Sequence, residues 1–112
     1  MKQQHNILKC LVDIRTSIDA IEEYLGLHRD FNIYLKNRML RSAIERELSI
    51  IGEAMNRINQ LDPHYPILNT RKIIALRNRV VHAYDGLDNE TIWSVLVNHL
   101  PKLKEDVAKL LG

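Results

Sequence analysis

The chain has 112 residues, which is the size of one domain and excludes a two-domain enzyme. Hydrophobic residues make up 46% and charged residues 27%, with 4 Gly and 3 Pro, so the chain is neither disordered nor of low complexity. A net charge of +2 is too small to indicate nucleic-acid binding by itself. Aromatic residues amount to only 5%, which leaves room for dimerisation to add buried surface.

The single cysteine, Cys10, cannot form an internal disulfide or complete a cysteine-based metal site. The N-terminus has no signal-peptide-like run, and no stretch approaches the roughly 20 apolar residues that span a bilayer. We therefore expect a soluble, cytoplasmic protein that does not bind membranes. We also expect Cys10 to be a small core residue.

The first two predicted helices follow from apolar residues at three-and-four spacing. The first carries Ile7, Leu8, Leu11, Ile14, Ile18, Ile21 and Leu25. Gly26 is expected to end it, and Asp30 or Asn32 to cap the next helix. The second helix is predicted from Phe31 to Leu61, with Leu40, Ile44, Leu48, Ile51, Met55, Ile58 and Leu61 as its stripe. Met39 and Met55 are expected in or near the core.

The segment from Asp62 to Pro66 carries two prolines and is predicted to be a loop. A third helix is predicted from Thr70 to Tyr84, where Asp85 and Gly86 stop it. Asp88 is expected to cap a fourth helix, which bears Ile92, Trp93, Leu96, Leu100, Leu103, Val107 and Leu110, with Pro101 as a kink. These elements predict one all-α domain over residues 1–112, an antiparallel up-and-down four-helix bundle.

The third predicted helix has two faces rather than one. Its core face consists of Ile73, Leu76, Val80 and Ala83. A second, mixed face carries Ile74, Asn78, Val81 and His82, which a four-helix core does not need. The pattern therefore indicates that this face packs against another molecule.

The same helix concentrates positive charge, because four cations fall within nine residues that contain no acid. They are Arg71, Lys72, Arg77 and Arg79. A solvated helix face is the ordinary explanation of such a cluster, and a phosphate-binding surface is the functional one. The presence of His82 and Tyr84 beside these cations favours function, since imidazole and phenol groups support acid-base and nucleophilic chemistry.

The residues from Arg77 to Tyr84 read Arg-Asn-Arg-Val-Val-His-Ala-Tyr. This run resembles the R-N-x-x-x-H-x-Y signature of HepT-like toxins, which belong to the HEPN (higher eukaryote and prokaryote nucleotide-binding) superfamily of small helical proteins. The segments 43–48 and 51–54 resemble the second helix of that family. Trp93 and the segment 100–103 resemble its fourth helix. The likeness covers about residues 13–111, and it departs from the family at Asn69 and Thr70, where a Trp is common.

The resemblance implies a metal-independent endoribonuclease whose site lies at a symmetric homodimer interface, with no cofactor. Arg77 and His82 of both copies then form one cleft. His82 takes the proton from a ribose 2′-OH and Arg77 neutralises the phosphate, so RNA is cut and DNA is not. Asn78 supports His82 or holds a phosphate oxygen, and RNA phosphates contact Arg71, Lys72 and Arg79.

The resemblance also implies a type VII toxin-antitoxin system. The partner is then an MntA-like nucleotidyltransferase antitoxin, which transfers AMP from ATP to Tyr84 and silences the toxin. A phosphate-bearing adduct there fills the cleft and pairs with Arg77.

Two other functions stay open at this stage. One is a non-catalytic helical subunit that regulates a partner nucleotidyltransferase, and the other is a nucleotide-binding sensor. A metal site is disfavoured, because the sequence contains no H-x-x-x-H or H-E-x-x-H ligand pair.

Overall fold

The computed structural model describes residues 2–27, 29–67 and 89–112, and these ranges contain helices and no strand. The helices are α1 (Lys2–Leu25), α2 (Phe31–Lys36), α3 (Arg38–Leu61), α4 (Asn89–Ser94) and α5 (Leu100–Leu111), with a π-helical segment at Val95–His99 between the last two. The prediction of an all-α bundle is confirmed. Over the same ranges, none of the helices combines the length and apolar character needed to cross a bilayer.

The end of α1 and the start of α2 are formed by the residues that the sequence assigned to them. Gly26 adopts a φ of +68°, which glycine tolerates without steric cost, and its amide donates to the Glu22 carbonyl at 3.0 Å. Asp30 accepts a hydrogen bond of 2.8 Å from the Asn32 amide through its side chain. The connection between the two helices is therefore short and capped on both sides.

The prediction of one continuous second helix from Phe31 to Leu61 is wrong, because the chain leaves the helical conformation at Asn37. Asn37 has φ −107° and ψ 97°, and its side chain accepts a hydrogen bond of 3.0 Å from the Leu40 amide. On the other side of the break, the Arg41 guanidinium donates to the Leu35 carbonyl at the end of α2. The break is stabilised because both newly exposed helix ends gain partners.

The core is built on the contact between α1 and α3. The predicted α3 stripe is buried at Ile44, Leu48, Ile51, Met55 and Ile58. It faces the buried stripe of α1, formed by Ile7, Leu11, Ile14, Ile18 and Ile21. Burial of each such side chain contributes roughly 1.5–3 kcal/mol, so these two stripes dominate the stability of the bundle.

Two of the smaller core predictions are confirmed and one is wrong. Cys10 and Met55 are buried, as expected. Met39 is 80% exposed, because the break at Asn37 places it in the first turn of α3, on the surface.

Glu47 connects α1 to α3 outside the apolar contact. Its carboxylate accepts a hydrogen bond of 3.1 Å from the Ser17 hydroxyl and one of 3.3 Å from the Tyr24 hydroxyl. Ser17 is only 3% exposed, so its hydroxyl depends on this carboxylate for a partner. The same negative charge raises the pKa of Tyr24 above its usual value. Glu47 thus fixes how the two helices are aligned along their length.

The kink predicted at Pro101 takes the form of the π-helical segment before it. Proline has no amide hydrogen, and its ring collides with the carbonyl four residues earlier in a regular helix. The Leu100 amide donates to the Val95 carbonyl, five residues back, which widens the helix by one residue. Leu96, Leu100, Leu103 and Val107 nevertheless stay buried, so the wider turn keeps the apolar stripe directed at the core.

An aromatic cluster attaches α2 and α4 to the bundle. The ring centroid of Tyr34 lies 6.3 Å from that of Phe31 and 5.4 Å from that of Trp93. Tyr34 is fully buried, and its hydroxyl has no hydrogen-bond partner among the described residues. Burial raises the pKa of Tyr34 to about 12.

Replacing Tyr34 with Phe removes this unpartnered hydroxyl and keeps the ring. At pH 7 we expect the free energy of unfolding of Tyr34→Phe to equal that of the wild type or to exceed it by up to about 1 kcal/mol. Between pH 10 and pH 12 the unfolded chain loses the phenolic proton while the folded chain keeps it, so wild-type stability falls as pH rises. The variant lacks this part of the alkaline loss. Urea titrations at each pH measure both effects.

The control is Tyr34→Ala, which removes the ring as well. We expect it to lose about 3–5 kcal/mol, because a buried aromatic side chain leaves a cavity. A loss of more than about 1 kcal/mol in Tyr34→Phe at pH 7 contradicts the assignment of an unpartnered hydroxyl.

Candidate active site

The predicted site residues lie between the described ranges of the structure. They are Arg71, Lys72, Arg77, Asn78, Arg79, His82 and Tyr84, all within residues 68–88. Thr70, Gly86 and Asp88, predicted to begin and end the neighbouring helices, lie in the same segment. The roles of these side chains stay predictions. The structure describes the parts of the chain on either side of this segment.

On the N-terminal side, the chain approaches residue 68 through an ordered loop. The Asp62 side chain accepts from the His64 amide at 3.1 Å, and the Asp62 carbonyl accepts from the Tyr65 amide at the same distance. Tyr65 and Ile67 are half-buried and pack against the core. The prediction of a loop from Asp62 to Pro66 is confirmed, and this loop attaches the start of the predicted catalytic segment to the bundle.

On the C-terminal side, α4 begins at Asn89 and reaches the core within one turn. Ile92 is fully buried, and the ring of Trp93 lies 5.7 Å from that of Phe31. Both ends of the predicted catalytic segment are therefore attached to the same core, one through Tyr65 and Ile67 and the other through Trp93.

A second face of α3 is turned away from α1. Gly52 and Glu45 lie on this face, about 80° and 100° around the helix from Ile44, whereas Glu47 and Ala54 lie on the side that meets α1. Gly52 is buried, and burial raises the pKa of the Glu45 carboxyl while the charge of Arg41 opposes that rise. These residues belong to the segments 43–48 and 51–54 that resemble the second helix of HepT-like proteins.

A surface groove between α1 and α3 has a different character. Asn6, Lys9, Cys10 and Asp13 line it from α1, and Ile50, Glu53, Ala54 and Arg57 line it from α3. The positive charges of its two cations equal the negative charges of its two acids, so the lining has no net charge. The groove therefore offers no net attraction for a phosphate backbone. Burial raises the pKa of the Cys10 thiol, which keeps it in the less nucleophilic protonated form. The groove does not support a catalytic role.

Metal-ligating residues do not gather in the described part of the chain. No group of three His, Cys, Asp or Glu side chains lies close enough there to hold a metal ion.

Comparison with known proteins decides the family. The model of the family described as "Ribonuclease HepT-like" matches residues 14–110 of the chain. The chain belongs to the HepT-like ribonuclease family. Membership identifies it as a ribonuclease, and the resemblance noted in the sequence is confirmed.

Two relatives illustrate the match. The chain is 34% identical over 98 residues to "Putative RNase MJ1380" of Methanocaldococcus jannaschii, which covers 87% of this chain and 89% of the relative. It is 33% identical over 111 residues to "Probable ribonuclease HepT" of Thermococcus cleftensis, covering 98% of each protein. No solved structure matches the chain significantly.

Two features of the described structure are not predicted by the sequence, namely the aromatic cluster of Phe31, Tyr34 and Trp93 and the hydrogen bonds of Glu47. Phe31 and Tyr34 are three residues apart, which in a helix places them on one face, so the sequence carries a signal that these two rings lie together. It carries no signal that Trp93 joins them, because Trp93 lies about 60 residues further along the chain. The hydrogen bonds of Glu47 to Ser17 and Tyr24 leave no local sequence signal, because they join two helices that are distant in the chain.

Proposed function

We propose that this HepT-like ribonuclease is the toxin of a type VII toxin-antitoxin system and that it cuts RNA with Arg77 and His82. One observation carries the proposal: the family match over residues 14–110 includes the whole Arg-Asn-x-x-x-His-x-Tyr run at 77–84. This run also lies in the most basic stretch of a nearly neutral chain, where a polyanion is attracted most strongly.

The proposed reaction uses the 2′-OH of the substrate as nucleophile. His82 takes the proton of that hydroxyl, whose oxygen attacks the adjacent phosphorus, and Arg77 neutralises the charge that grows on the phosphoryl oxygens. The bond from phosphorus to the 5′ oxygen breaks, and the His82 imidazolium returns its proton to that oxygen. The products are a 2′,3′-cyclic phosphate and a 5′-OH. DNA lacks the nucleophile and is not cut.

The remaining polar residues of the segment position the substrate. Asn78 lies four residues before His82, one helical turn away in the predicted helix, so its amide can orient the imidazole or bind a phosphate oxygen. Arg71, Lys72 and Arg79 contact phosphates on either side of the cut and fix the register of the RNA. No metal ion or cofactor takes part in these steps.

The proposed site needs two copies of the chain. A single helix presents a convex surface with one Arg77 and one His82, whereas a two-fold contact between two such helices forms a cleft with two of each. This homodimer also supplies burial that a core with one Trp and one Phe lacks. We place the dimer in the cytoplasm, where its RNA substrate is found.

The proposed antitoxin is an MntA-like nucleotidyltransferase that modifies Tyr84. The Tyr84 hydroxyl attacks the α-phosphorus of ATP, the bond to the β-phosphate oxygen breaks, and pyrophosphate leaves as the phenolic proton passes to a base. The adduct brings a phosphate next to the cation that RNA requires, and its bulk fills the cleft. Inhibition thus has both an electrostatic and a steric cause.

Substitution of the two catalytic residues tests the proposed chemistry. We expect His82→Ala and Arg77→Ala each to lower the rate of RNA cleavage by about 10²–10⁴-fold, while circular dichroism and the dimer stay unchanged. His64→Ala and Arg57→Ala are matched controls at exposed positions, and we expect both to cut at the wild-type rate. Cleavage is also expected to persist in EDTA and to leave cyclic phosphate ends.

Wild-type rates in both His82→Ala and Arg77→Ala contradict the assignment. A purified wild-type chain that cuts no RNA, yet binds the transferase and raises its activity, favours the alternative of a non-catalytic regulatory subunit.

Mass spectrometry tests the proposed modification. After co-expression with the transferase, we expect AMP-sized mass increases on a peptide that contains Tyr84 and none on the peptide that contains Tyr24, an exposed tyrosine of the same chain. Tyr84→Phe is expected to stay unmodified and to resist neutralisation. A neutralised toxin whose Tyr84 carries no adduct points instead to steric blocking by the antitoxin.

A further inference from the structure

The groove between α1 and α3 has lining positions that are related by two-fold symmetry. Ser17 on α1 bonds to Glu47 on α3. Cys10, which is earlier on α1, lies near Arg57, which is later on α3, so the two helices run antiparallel. Cys10 and Ala54 are each seven residues from the bonded pair, about 10.5 Å along their helices, and so lie at the same height. A two-fold axis that passes between them, perpendicular to this face, exchanges the positions of the two helices.

The lining residues of the two helices have the same spacing. Each helix contributes positions i, i+3, i+4 and i+7, which lie on one side of a helix. Each lining residue therefore has one counterpart on the other helix. The axis exchanges Asn6 with Ile50, Lys9 with Glu53, Cys10 with Ala54 and Asp13 with Arg57.

Counterpart positions of the groove carry opposite charges. Lys9 is the counterpart of Glu53, and Asp13 is the counterpart of Arg57. All four side chains are exposed, and none forms an ion pair with another described residue, although each cation is four residues from an acid on its own helix. The two acids lie toward the Ser17 end of the groove and the two cations toward the other end. The groove thus has an acidic end and a basic end.

The centre of the groove is lined by small side chains. Cys10 and Ala54 are buried, and the groove above them has a volume of about 230 Å³. Small side chains at the axis allow the backbone of another molecule to come close, with the charged side chains on either side of it. The groove is therefore shaped to admit a second surface rather than to repel one.

We propose that two copies of this chain associate through their α1–α3 grooves around this axis. In such a contact each residue meets the counterpart of itself. Lys9 faces the partner's Glu53 and Asp13 faces the partner's Arg57, and the symmetry repeats both pairs. The contact therefore contains four ion pairs, all formed by charges that the single chain leaves unpaired. This complementarity fixes the register of the two copies and speeds their encounter.

The face is large enough for this contact. α1 and α3 have 24 residues each, so both are about 36 Å long. Neighbouring helices pack about 8–10 Å apart, which gives the pair a face of roughly 700 Å², close to the roughly 800 Å² that each partner contributes to a standard interface. Exposed ion pairs contribute little individually, so burial of the central groove supplies the rest of the affinity.

Other occupants satisfy fewer of these charges. A phosphate backbone is attracted to the cations and repelled equally by the acids. A small zwitterion pairs with one cation and one acid and leaves the other two unpaired. A second copy pairs all four, and its surface is the one described above.

This groove contact is separate from the homodimer of the proposed function. The homodimer uses the third predicted helix, whereas the groove contact uses α1 and α3. Two different two-fold contacts on one chain join dimers into a tetramer or into a longer assembly. The tetramer rests on the proposed function, and the groove contact does not.

The test uses two single charge reversals, Lys9→Glu and Glu53→Lys. In the first variant two carboxylates meet at each of the two exchanged positions, and in the second two ammonium groups meet. We expect each variant to lose the groove contact, so that the wild-type assembly has at least twice the mass of either variant in sedimentation velocity. An equimolar mixture of the two variants places opposite charges together again, and we expect it to regain the wild-type mass. Added salt is expected to weaken the wild-type assembly.

The matched controls are Lys102→Glu and Glu23→Lys, at exposed positions outside the groove. We expect both to keep the wild-type mass, and circular dichroism to be the same for all chains. Equal masses for wild type and both groove variants overturn the proposal, and so does a mixture that keeps the mass of its components.

The mass that the groove variants retain separates the two contacts. Dimeric groove variants that regain a larger mass on mixing support the groove contact beside the homodimer of the proposed function. Monomeric groove variants that form a dimer on mixing support the groove contact and count against that homodimer. A wild-type chain that is monomeric overturns both.

Discussion

The fold depends on one contact, the apolar seam between α1 and α3. Each helix has 24 residues and contributes a stripe of side chains that are almost completely buried, among them Leu11 and Ile14 on α1 and Ile51 and Met55 on α3. Burial of aliphatic surface is not directional, so the seam alone does not set the register of the two helices. The Glu47 carboxylate does so through Ser17 and Tyr24, because a shift along the seam leaves the buried Ser17 hydroxyl without a partner.

The other described elements attach to this seam at few points. α2 is held by Tyr34, α4 by Ile92 and Trp93, and α5 by its apolar stripe and the 2.8 Å ion pair between Lys104 and Glu22. The ion pair is exposed and contributes little to stability, so the apolar contacts carry α5. The segment 68–88 is joined to the bundle through the Tyr65 loop on one side and Trp93 on the other. The proposed active site is thus connected at both ends to the core that the described residues form.

Much of this fold follows from the sequence, because a helix that buries one face leaves a periodic apolar pattern. The stripes of α1 and α3 and the stop at Gly26 are local signals of this kind. The break at Asn37 leaves no such local signal, because the apolar spacing continues from Phe31 through Leu40. It is evident only from the hydrogen bonds that Asn37 and Arg41 make in the structure. Two further features depend on which helices pack together, and a single sequence does not specify helix packing. They are the hydrogen bonds of Glu47 and the cluster of Phe31, Tyr34 and Trp93.

For the candidate site, the sequence predicts which residues take part but not how they are arranged. Its residues were found from a short run, Arg77 to Tyr84, whose residue types match a known chemistry, and the family match over residues 14–110 supports that choice. Periodicity also indicated that this helix has more apolar and polar surface than its own core needs. Neither signal gives the distance from Arg77 to the partner's His82, because in the proposed enzyme that distance is set by how the two copies pack.

A mixing experiment tests this shared site most directly. Arg77→Ala and His82→Ala chains are each expected to be inactive, but a heterodimer of the two retains one Arg77 and one His82 in its single cleft. After subunit exchange, the account predicts that RNA cleavage reappears, at a fraction of the wild-type rate and in proportion to the amount of heterodimer. Heterodimers that form and cut no faster than either parent contradict the shared site, because each chain then needs its own intact pair.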